Sequence, residues 1–189
     1  DNEFYLVGIF TAIEGMISVA IFPRLTKFLA RRTIFFSGAI VMLAGYLLFM
    51  VAGNNLAIVL TAVTMFFMPY PIMFLVVLMT ITDSVEYGQW KLGTRHESVT
   101  LAIRPLLDKL AGAFANGVVG FAAVVAGMTG SAKPSDITAH GLSMFKMFMF
   151  YGPMALIIVS VLIYWRKVTL TEARHAEIVA ELEARLKEN

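Results

Sequence analysis

The sequence predicts an all-α membrane protein with about five transmembrane helices followed by a polar helix. Three observations support this fold class. Hydrophobic residues make up 59% of the 189 residues, whereas soluble domains average about 45–50%. Several apolar stretches each reach the roughly 20 residues that cross a hydrocarbon core as a helix. None of these stretches alternates between polar and apolar residues as the strand of a membrane barrel does.

The predicted spans follow one another with short connectors. They cover about Phe4–Pro23, Ile34–Ala52, Leu56–Ile81, Val99–Met128 and Leu142–Trp165. In the third span, Pro69 and Pro71 predict a kink, which is tolerated where neighbouring groups satisfy the freed backbone. In the fifth span, Lys146 lies near the outer surface, so we expect its apolar stem to snorkel.

Basic residues are concentrated in alternate connectors. The first connector, Arg24–Arg32, is rich in them, and the second, Gly53–Asn55, holds none. The third carries Lys91 and Arg95, and the fifth span is followed by Arg166–Lys167. By the positive-inside rule, the first and third connectors and the carboxy terminus face the cytoplasm. We therefore expect a multi-pass protein of the cell membrane. The odd number of spans and the start without a methionine favour a piece of a longer protein.

The last residues predict a cytoplasmic amphipathic helix, so the chain divides into a transmembrane part, 1–167, and a tail, 168–189. Thr169 and Glu172 have the spacing of a capping box. One helix face is apolar and consists of Leu170, Ile178, Val179, Leu182 and Leu186. Such a helix can lie on the bilayer, dock on the transmembrane part, lead into a further domain, or remain solvated.

Several ionisable residues fall at membrane depth, where charge is costly and usually functional. In the fourth span, Arg104 and Asp108 have i,i+4 spacing and can pair, which leaves Lys109 in need of a carboxylate from elsewhere. Asn116 lies on the same helix face as Asp108. Glu14 falls near the middle of the first span and either lines a cavity, pairs with Lys109, or is a structural carboxyl. We predict these five residues as candidates for substrate binding or coupling.

The stretch between the third and fourth spans is densely polar and is predicted to be a cytoplasmic connector. It reads "DSVEYGQWKLGTRHES". The stretch resembles a motif of the glycoside–pentoside–hexuronide:cation symporters, which belong to the major facilitator superfamily. The matching residues are Asp83, Glu86, Tyr87, Gly88, Trp90, Lys91, Gly93, Arg95 and Glu97. The runs "SVTLAIRPLLDKLAGAFAN" and "VTLTEARHAEIVAELEARL" are similar to lactose and galactoside permeases within that family. The resemblance implies helices eight to twelve of a twelve-helix major facilitator fold, within its carboxy-terminal bundle.

The resemblance also implies roles for individual residues. Lys109 matches a lysine near the sugar and cation sites. Phe74 stands where a relative has a tryptophan facing the sugar, and Arg104 stands where it has a glutamine. Glu97 and Lys91 match polar residues that matter for transport. With Asp83, Glu86 and Arg95 they form a predicted gating loop. Basic turns similar to Arg24–Arg32 brace the cytoplasmic gate elsewhere in the superfamily. The alternative is that these basic residues serve only to keep the connector on the cytoplasmic side, as the positive-inside rule describes.

The function that the resemblance implies is secondary active transport of a sugar, such as a galactoside, with H⁺ or Na⁺ or by sugar exchange. The acidic residues that bind the cation are expected in the amino-terminal half of the transporter. We expect two partners for this segment, that amino-terminal half and the lipid bilayer. A cytoplasmic regulatory domain after the tail is a further candidate partner. We expect no organic cofactor, no metal site, no nucleic-acid partner and no enzymatic activity. The alternative is a non-transporting membrane sensor or anchor that reuses the fold.

Overall fold

The computed structural model describes residues 2–53, 55–128, 130 and 137–188. Of the residues that carried predictions, Asn54 and the side chain of Leu186 lie outside the described part. The described helices are α1 (Asn2–Phe28), α2 (Arg31–Val51), α3 (Leu56–Phe67), α4 (Pro69–Leu92), α5 (Glu97–Val125), α6 (Ala139–Lys146), α7 (Gly152–Lys167) and α8 (Glu172–Glu188). A π-helical turn, Met147–Tyr151, joins α6 to α7. The all-α fold class is confirmed.

The five predicted membrane spans are confirmed, although several extend further than the apolar stretches. Five helical segments of the described chain are long and apolar enough to cross a membrane: Val7–Phe28, Arg31–Val51, Leu56–Leu92, Glu97–Val125 and Ala139–Lys167. The extensions are richer in polar residues than the spans themselves, because a helix continues past the hydrocarbon core wherever nothing in the sequence stops it. Hydropathy reports the apolar part of such a helix and not its end.

The prediction of a polar connector from Asp83 onwards is wrong. The third span continues as helix to Leu92, and its 37 residues correspond to about 55 Å, well beyond a core of about 30 Å. The helix ends only at Gly93, whose φ of 74° is the left-handed conformation that glycine adopts freely. Asp83, Glu86 and Lys91 therefore lie on α4, and only Gly93–His96 connects it to α5.

The kink predicted in the third span appears as an interruption at Met68. The helix α3 ends at Phe67 and α4 begins at Pro69, which occupies a first-turn position where its missing N–H costs nothing. The amide of Met68 still donates to the carbonyl of Thr64, so a helical i→i−4 hydrogen bond spans the interruption. The π-helical turn in the fifth span was not predicted, since its apolar residues give no periodic signal that separates π from α.

The chain forms two compact units, and the first comprises Asp1–Thr100 and Ser160–Asn189. Its core contains Phe22, Ile34, Phe35, Val76 and Tyr164. The rings of Phe35 and Tyr164 stack with their centroids 4.1 Å apart. Gly45 lets α2 approach α3 closely, because a Cβ there would lie 2.8 Å from the Cβ of Met65. Small residues have this role generally where membrane helices pack.

The second unit, Leu101–Val159, holds most of α5, all of α6 and the first half of α7. Within it, the rings of Phe121 and Phe148 meet edge to face with centroids 5.5 Å apart. Gly141 packs on the backbone of Ala126, where a Cβ would lie 2.7 Å from the carbonyl oxygen. Among the described residues of α5, only Ala122 is buried. The helix therefore exposes nearly its whole surface.

Candidate functional site

The tail helix α8 packs against α4 within the first unit. Ile178 is completely buried there, and Val179 and Leu182 are half-buried. These residues belong to the predicted apolar stripe. Their burial stabilises the docked helix by about 25 cal/mol for each square ångström of apolar surface removed from solvent. Of the alternatives left open for the tail, the structure shows docking on the rest of the chain.

The amino terminus of α8 is capped differently from the prediction. The side chain of Thr171, rather than Thr169, accepts a hydrogen bond of 3.2 Å from the amide of Arg174. The carboxylate of Glu172 accepts a 2.6 Å hydrogen bond from the amide of Arg31. Arg31 is the first residue of α2, and its preceding residue Ala30 supplies no side-chain cap. Glu172 therefore caps α2, since that amide has no partner inside α2.

The pKa of Glu172 reports this cap. Burial by itself acts to raise the pKa of the carboxyl group. The hydrogen bond from the amide of Arg31, a backbone hydrogen bond of Glu172 itself, and the charge of Arg31 act in the opposite direction and outweigh burial. The net result is a pKa below the ordinary value, so folding favours the charged carboxylate.

An ion pair between Arg31 and Asp83 links α2 to α4. The guanidinium Nη1 and the carboxylate Oδ2 are 2.5 Å apart, and each side chain is only 15% exposed. The Nε of Arg31 lies 3.6 Å from Oε1 of Glu172. A charge pair at this depth is weak evidence for net stability, but removal of one partner leaves the other desolvated and uncompensated. The three helices α2, α4 and α8 thus meet at one guanidinium.

His175 of α8 lies between two carboxylates of α4. Its Nε2 is 3.7 Å from Oδ1 of Asp83 and 3.5 Å from Oε2 of Glu86. These distances exceed those of ordinary hydrogen bonds, and within the described chain this buried nitrogen has no hydrogen-bond partner. A protonated imidazolium would form ion pairs with both carboxylates, whereas a neutral ring would not. We call Arg31, Asp83, Glu86, Glu172 and His175 the Arg31 cluster.

A second contact anchors α8 near the carboxy-terminal end of α4. The indole of Trp90 donates a 2.6 Å hydrogen bond to the carboxylate of Glu181. The guanidinium of Arg174 lies over the same indole, 5.1 Å from the ring centroid, which is cation–π geometry. Arg174 also bonds Glu177 at 2.7 Å. This hydrogen bond is the main reason why the pKa of Arg174 is raised above its ordinary value.

The short connector after α4 is held by Arg95. Its guanidinium bonds Glu97 at 2.8 Å and Gln89 at 3.1 Å, and lies 3.7 Å from Glu86. The hydrogen bond to Glu97, followed by the charge of that carboxylate, raises the pKa of Arg95. Through Glu86 this group continues into the Arg31 cluster. Four of the five predicted gating residues therefore share one network, although their role in gating stays a prediction.

Lys91 stands apart from that network. Its ammonium lies 5.8 Å from the centroid of the Tyr87 ring, and no carboxylate of the described chain lies within 4.0 Å of it. Sequence reasoning missed Trp90, Glu172 and His175 as contact residues. The signal available for Trp90 was its place in the family motif. Glu172 was predicted only as a capping-box residue of its own helix, and nothing local marked His175.

The predicted coupling residues lie in both units. In the second unit, the Arg104–Asp108 pair is observed, with Nε and Oδ2 3.8 Å apart. Lys109 is exposed, and no carboxylate of the described chain lies within 4.0 Å of its ammonium; Asn116 is exposed on the same helix. In the first unit, Phe74 and Glu14 are predicted site residues.

Phe74 is half-buried, whereas Glu14 is only 7% exposed and its Oε2 has no hydrogen-bond partner among the described residues. Burial of a carboxyl oxygen without a hydrogen bond costs free energy, so the packing around Glu14 must offset that cost. Its predicted role and that of Phe74 remain predictions. The described residues hold no group of three or more side chains suited to a metal ion.

Comparison with known proteins places residues 1–172 in a family described as MFS/sugar transport protein. The chain is 48% identical over 182 residues to the raffinose carrier protein of Pediococcus pentosaceus, covering 96% of this chain and 28% of that protein. It is 49% identical over 169 residues to the lactose permease of Lactobacillus delbrueckii subsp. bulgaricus, covering 89% and 27%. With the lactose permease of Leuconostoc lactis it shares 42% identity over 185 residues, covering 98% and 29%. The chain thus spans less than a third of the length of these relatives, and the resemblance stated from the sequence is confirmed.

Proposed function

Because the chain belongs to the MFS/sugar transport protein family, we propose that it is the carboxy-terminal part of a secondary transporter that moves a sugar across the cell membrane by alternating access. The observation that carries this proposal is the match at 40–49% identity to proteins named as a raffinose carrier and lactose permeases. The names give no support to a sensor or anchor, and none of them is that of an enzyme.

The substrate we propose is a galactoside. Raffinose and lactose differ in size and linkage, but both carry a galactosyl group, so that group is the part which a shared site can recognise. A site built to hydrogen-bond particular hydroxyls rejects analogues in which they are misplaced, because its own buried polar groups are then left unpaired.

The Arg31 cluster is the cytoplasmic gate in this proposal. Its charges are partly buried and meet across α2, α4 and α8, so any rearrangement of these helices breaks several contacts together. Contacts that exist in only one conformation bias the equilibrium between the two states. Arg95 of the connector and Glu97, the first residue of α5, extend the same network.

Lys109 is the charge on α5 that we assign to coupling. Arg104 occupies the nearby Asp108, and an unpaired ammonium at membrane depth costs about 2.5–3.5 kcal/mol on insertion scales. We propose that carboxylates in the amino-terminal part of the full transporter supply its partner. A lysine and a cation, either H⁺ or Na⁺, then compete for the same carboxylates, and sugar binding favours one of the two arrangements.

Counterflow of radiolabelled sugar into proteoliposomes that contain the full-length protein tests transport and substrate together. Lactose and raffinose should exchange. Cellobiose, which differs from lactose in the configuration of one carbon, and sucrose, which is raffinose without its galactosyl group, are the matched controls. Equal exchange of the controls would contradict galactosyl recognition, and absence of exchange for every sugar would contradict transport.

Single cysteines test the proposed orientation, because this segment contains no cysteine and any cysteines elsewhere in the full-length protein can be replaced first. A membrane-impermeant maleimide should label Asn54→Cys in intact cells but not Thr94→Cys, because the basic connectors and the carboxy terminus are proposed to be cytoplasmic. Labelling at Thr94 alone would reverse the orientation of the whole segment.

A further inference from the structure

A cavity of about 370 Å³ lies within the first unit beside the Arg31 cluster. The start of α2, the second half of α4, the end of α7 and the start of α8 enclose it. The cationic side chains in its lining are Arg31, Arg32, Lys167 and Arg174. The proposed gate uses only the Arg31 side of this cavity, and the remaining cations have no role in it.

The two carboxylates in the lining do not neutralise those cations equally. Asp83 and Glu172 both bind Arg31. Neither Arg32 nor Lys167 has a carboxylate within 4.0 Å in the part of the chain that the structure describes. Both are exposed side chains. The lining of the cavity therefore carries two cations whose charge the described part of the chain does not compensate.

The guanidinium of Arg32 is held in place without losing its charge. Its Nη2 donates a 3.1 Å hydrogen bond to the carbonyl of Trp165. Its plane lies over the ring of Phe36, with the Cζ 5.6 Å from the centroid. An arginine guanidinium has five N–H donors, so further donors remain for an anion. This arrangement fixes the direction of the group before any ligand arrives.

Hydroxyl groups complete the lining. Those of Thr80 and Ser84 donate to carbonyls of their own helix. Those of Tyr87, Tyr164 and Thr169 make no hydrogen bond within the described residues, although all three line the cavity. A cavity that presents two cations, one of them held in a fixed direction, and free hydroxyl donors, and whose carboxylates are already bound, suits an oxyanion with several acceptor oxygens.

We propose that this cavity binds a phosphate-bearing anion, with Arg32 and Lys167 as its direct cationic contacts. Arg32 is the second residue of α2, and Lys167 is the last residue of α7. Both therefore stand at the end of a membrane span, where phospholipid headgroups lie. An anionic lipid headgroup is the source that this position favours, and a soluble phosphorylated compound offers the same chemistry.

Retention of phosphatidylglycerol by the full-length protein, measured by native mass spectrometry from nanodiscs of mixed phosphatidylcholine and phosphatidylglycerol, tests the proposal. The test variant is Arg32→Gln with Lys167→Gln. The control variant is Arg24→Gln with Lys27→Gln, which removes the same charge from exposed residues near the end of α1 that do not line the cavity. Each neutralised cation at the cavity should weaken retention about fivefold, and the control should change it less than about twofold.

The second arm uses inorganic phosphate and glucose 6-phosphate, titrated calorimetrically into the detergent-solubilised protein. Binding that the test variant loses and the control retains supports a soluble ligand for the same cavity. If the test and control variants retain the lipid equally and bind the soluble phosphates equally, the proposal is overturned. Binding would then depend only on the overall charge of the protein and not on this cavity. If the double variant does not fold, Lys167→Arg should retain binding that Lys167→Gln loses, and equal binding by these two would overturn the proposal as well.

Discussion

The charges at the carboxy-terminal end of α4 and the charges on α5 are of the same chemical kinds but have opposite surroundings. On α4, Asp83 and Glu86 meet groups from α2 and α8 and are largely covered. On α5, Asp108 pairs with its helix neighbour Arg104 and with no other cation of the described residues, and Lys109 is exposed. The first set finds its contacts within this segment. The second set presents its charges outwards, as a surface does when its partners are supplied from elsewhere.

The largest effect should come from Lys109→Ala. Loss of its ammonium should reduce cation-driven accumulation of the sugar by about a hundredfold or more, as expected when one member of a desolvated charge pair is removed. Lys109→Arg should be nearly inactive too, because the planar guanidinium does not replace a compact ammonium. Accumulation of radiolabelled lactose in energised vesicles measures this.

Lys146→Ala is the matched control for Lys109, since Lys146 is an exposed lysine in the last turn of α6. Its loss should leave accumulation close to that of the parent. If Lys109→Ala also accumulates sugar at nearly the parent rate, Lys109 is only a structural counter-ion, and the contrast between the two regions has no functional meaning.

Asp83→Asn should have the largest effect on stability. Arg31 would lose its closest counter-charge and keep only Glu172 at 3.6 Å, which should cost about 2 kcal/mol, less than for a fully buried pair because both side chains are partly exposed. Chemical denaturation of the detergent-solubilised protein measures the change. Glu183→Gln on the exposed side of α8 is the control and should change stability by less than about 0.5 kcal/mol.

A double-mutant cycle sharpens this result. Arg31→Gln should cost nearly as much as Asp83→Asn, and the double variant should cost less than the sum of the two, because each single variant already breaks the pair. Additive effects would show that the two side chains do not interact in solution.

Glu97→Gln should affect turnover more than binding. Arg95 would lose its shortest ion pair but keep Gln89 and Glu86, so the gate would be weakened rather than removed. We expect coupled uptake about tenfold slower and a sugar dissociation constant within about threefold of the parent. A large loss of equilibrium affinity with normal turnover would place Glu97 in the sugar site instead.

The smallest effect concerns pH and the docking of α8. The pKa of Glu172 is lowered from an ordinary value of 4.5, so its contribution to docking is fully present above that pH and is lost as the pH falls through the lowered value. Hydrogen exchange of the α8 amides, corrected for intrinsic rates, should therefore rise on acidification. His175, Asp83 and Arg31 face the same region, so the comparison is with Glu172→Gln, in which this part of the pH dependence should be absent.

The sequence by itself determined the number of spans, their approximate places and the apolar stripe of the tail. Lipid exposure and helical periodicity are local properties, and each can be read from about twenty consecutive residues. The i,i+4 pair of Arg104 and Asp108 was predictable for the same reason, because one helix fixes the distance between its own side chains. The family motif added the polar residues that a hydropathy profile discards.

Only the tertiary structure decided what those polar residues contact. Charged and amide side chains are compatible with both a helix and a loop, so the sequence did not reveal that α4 continues to Leu92. Glu172 and the amide that it caps are 141 residues apart, and no local rule selects that amide over the one in its own helix. The place of His175 between two carboxylates depends in the same way on how α8 packs against α4, since packing alone decides which distant charges meet.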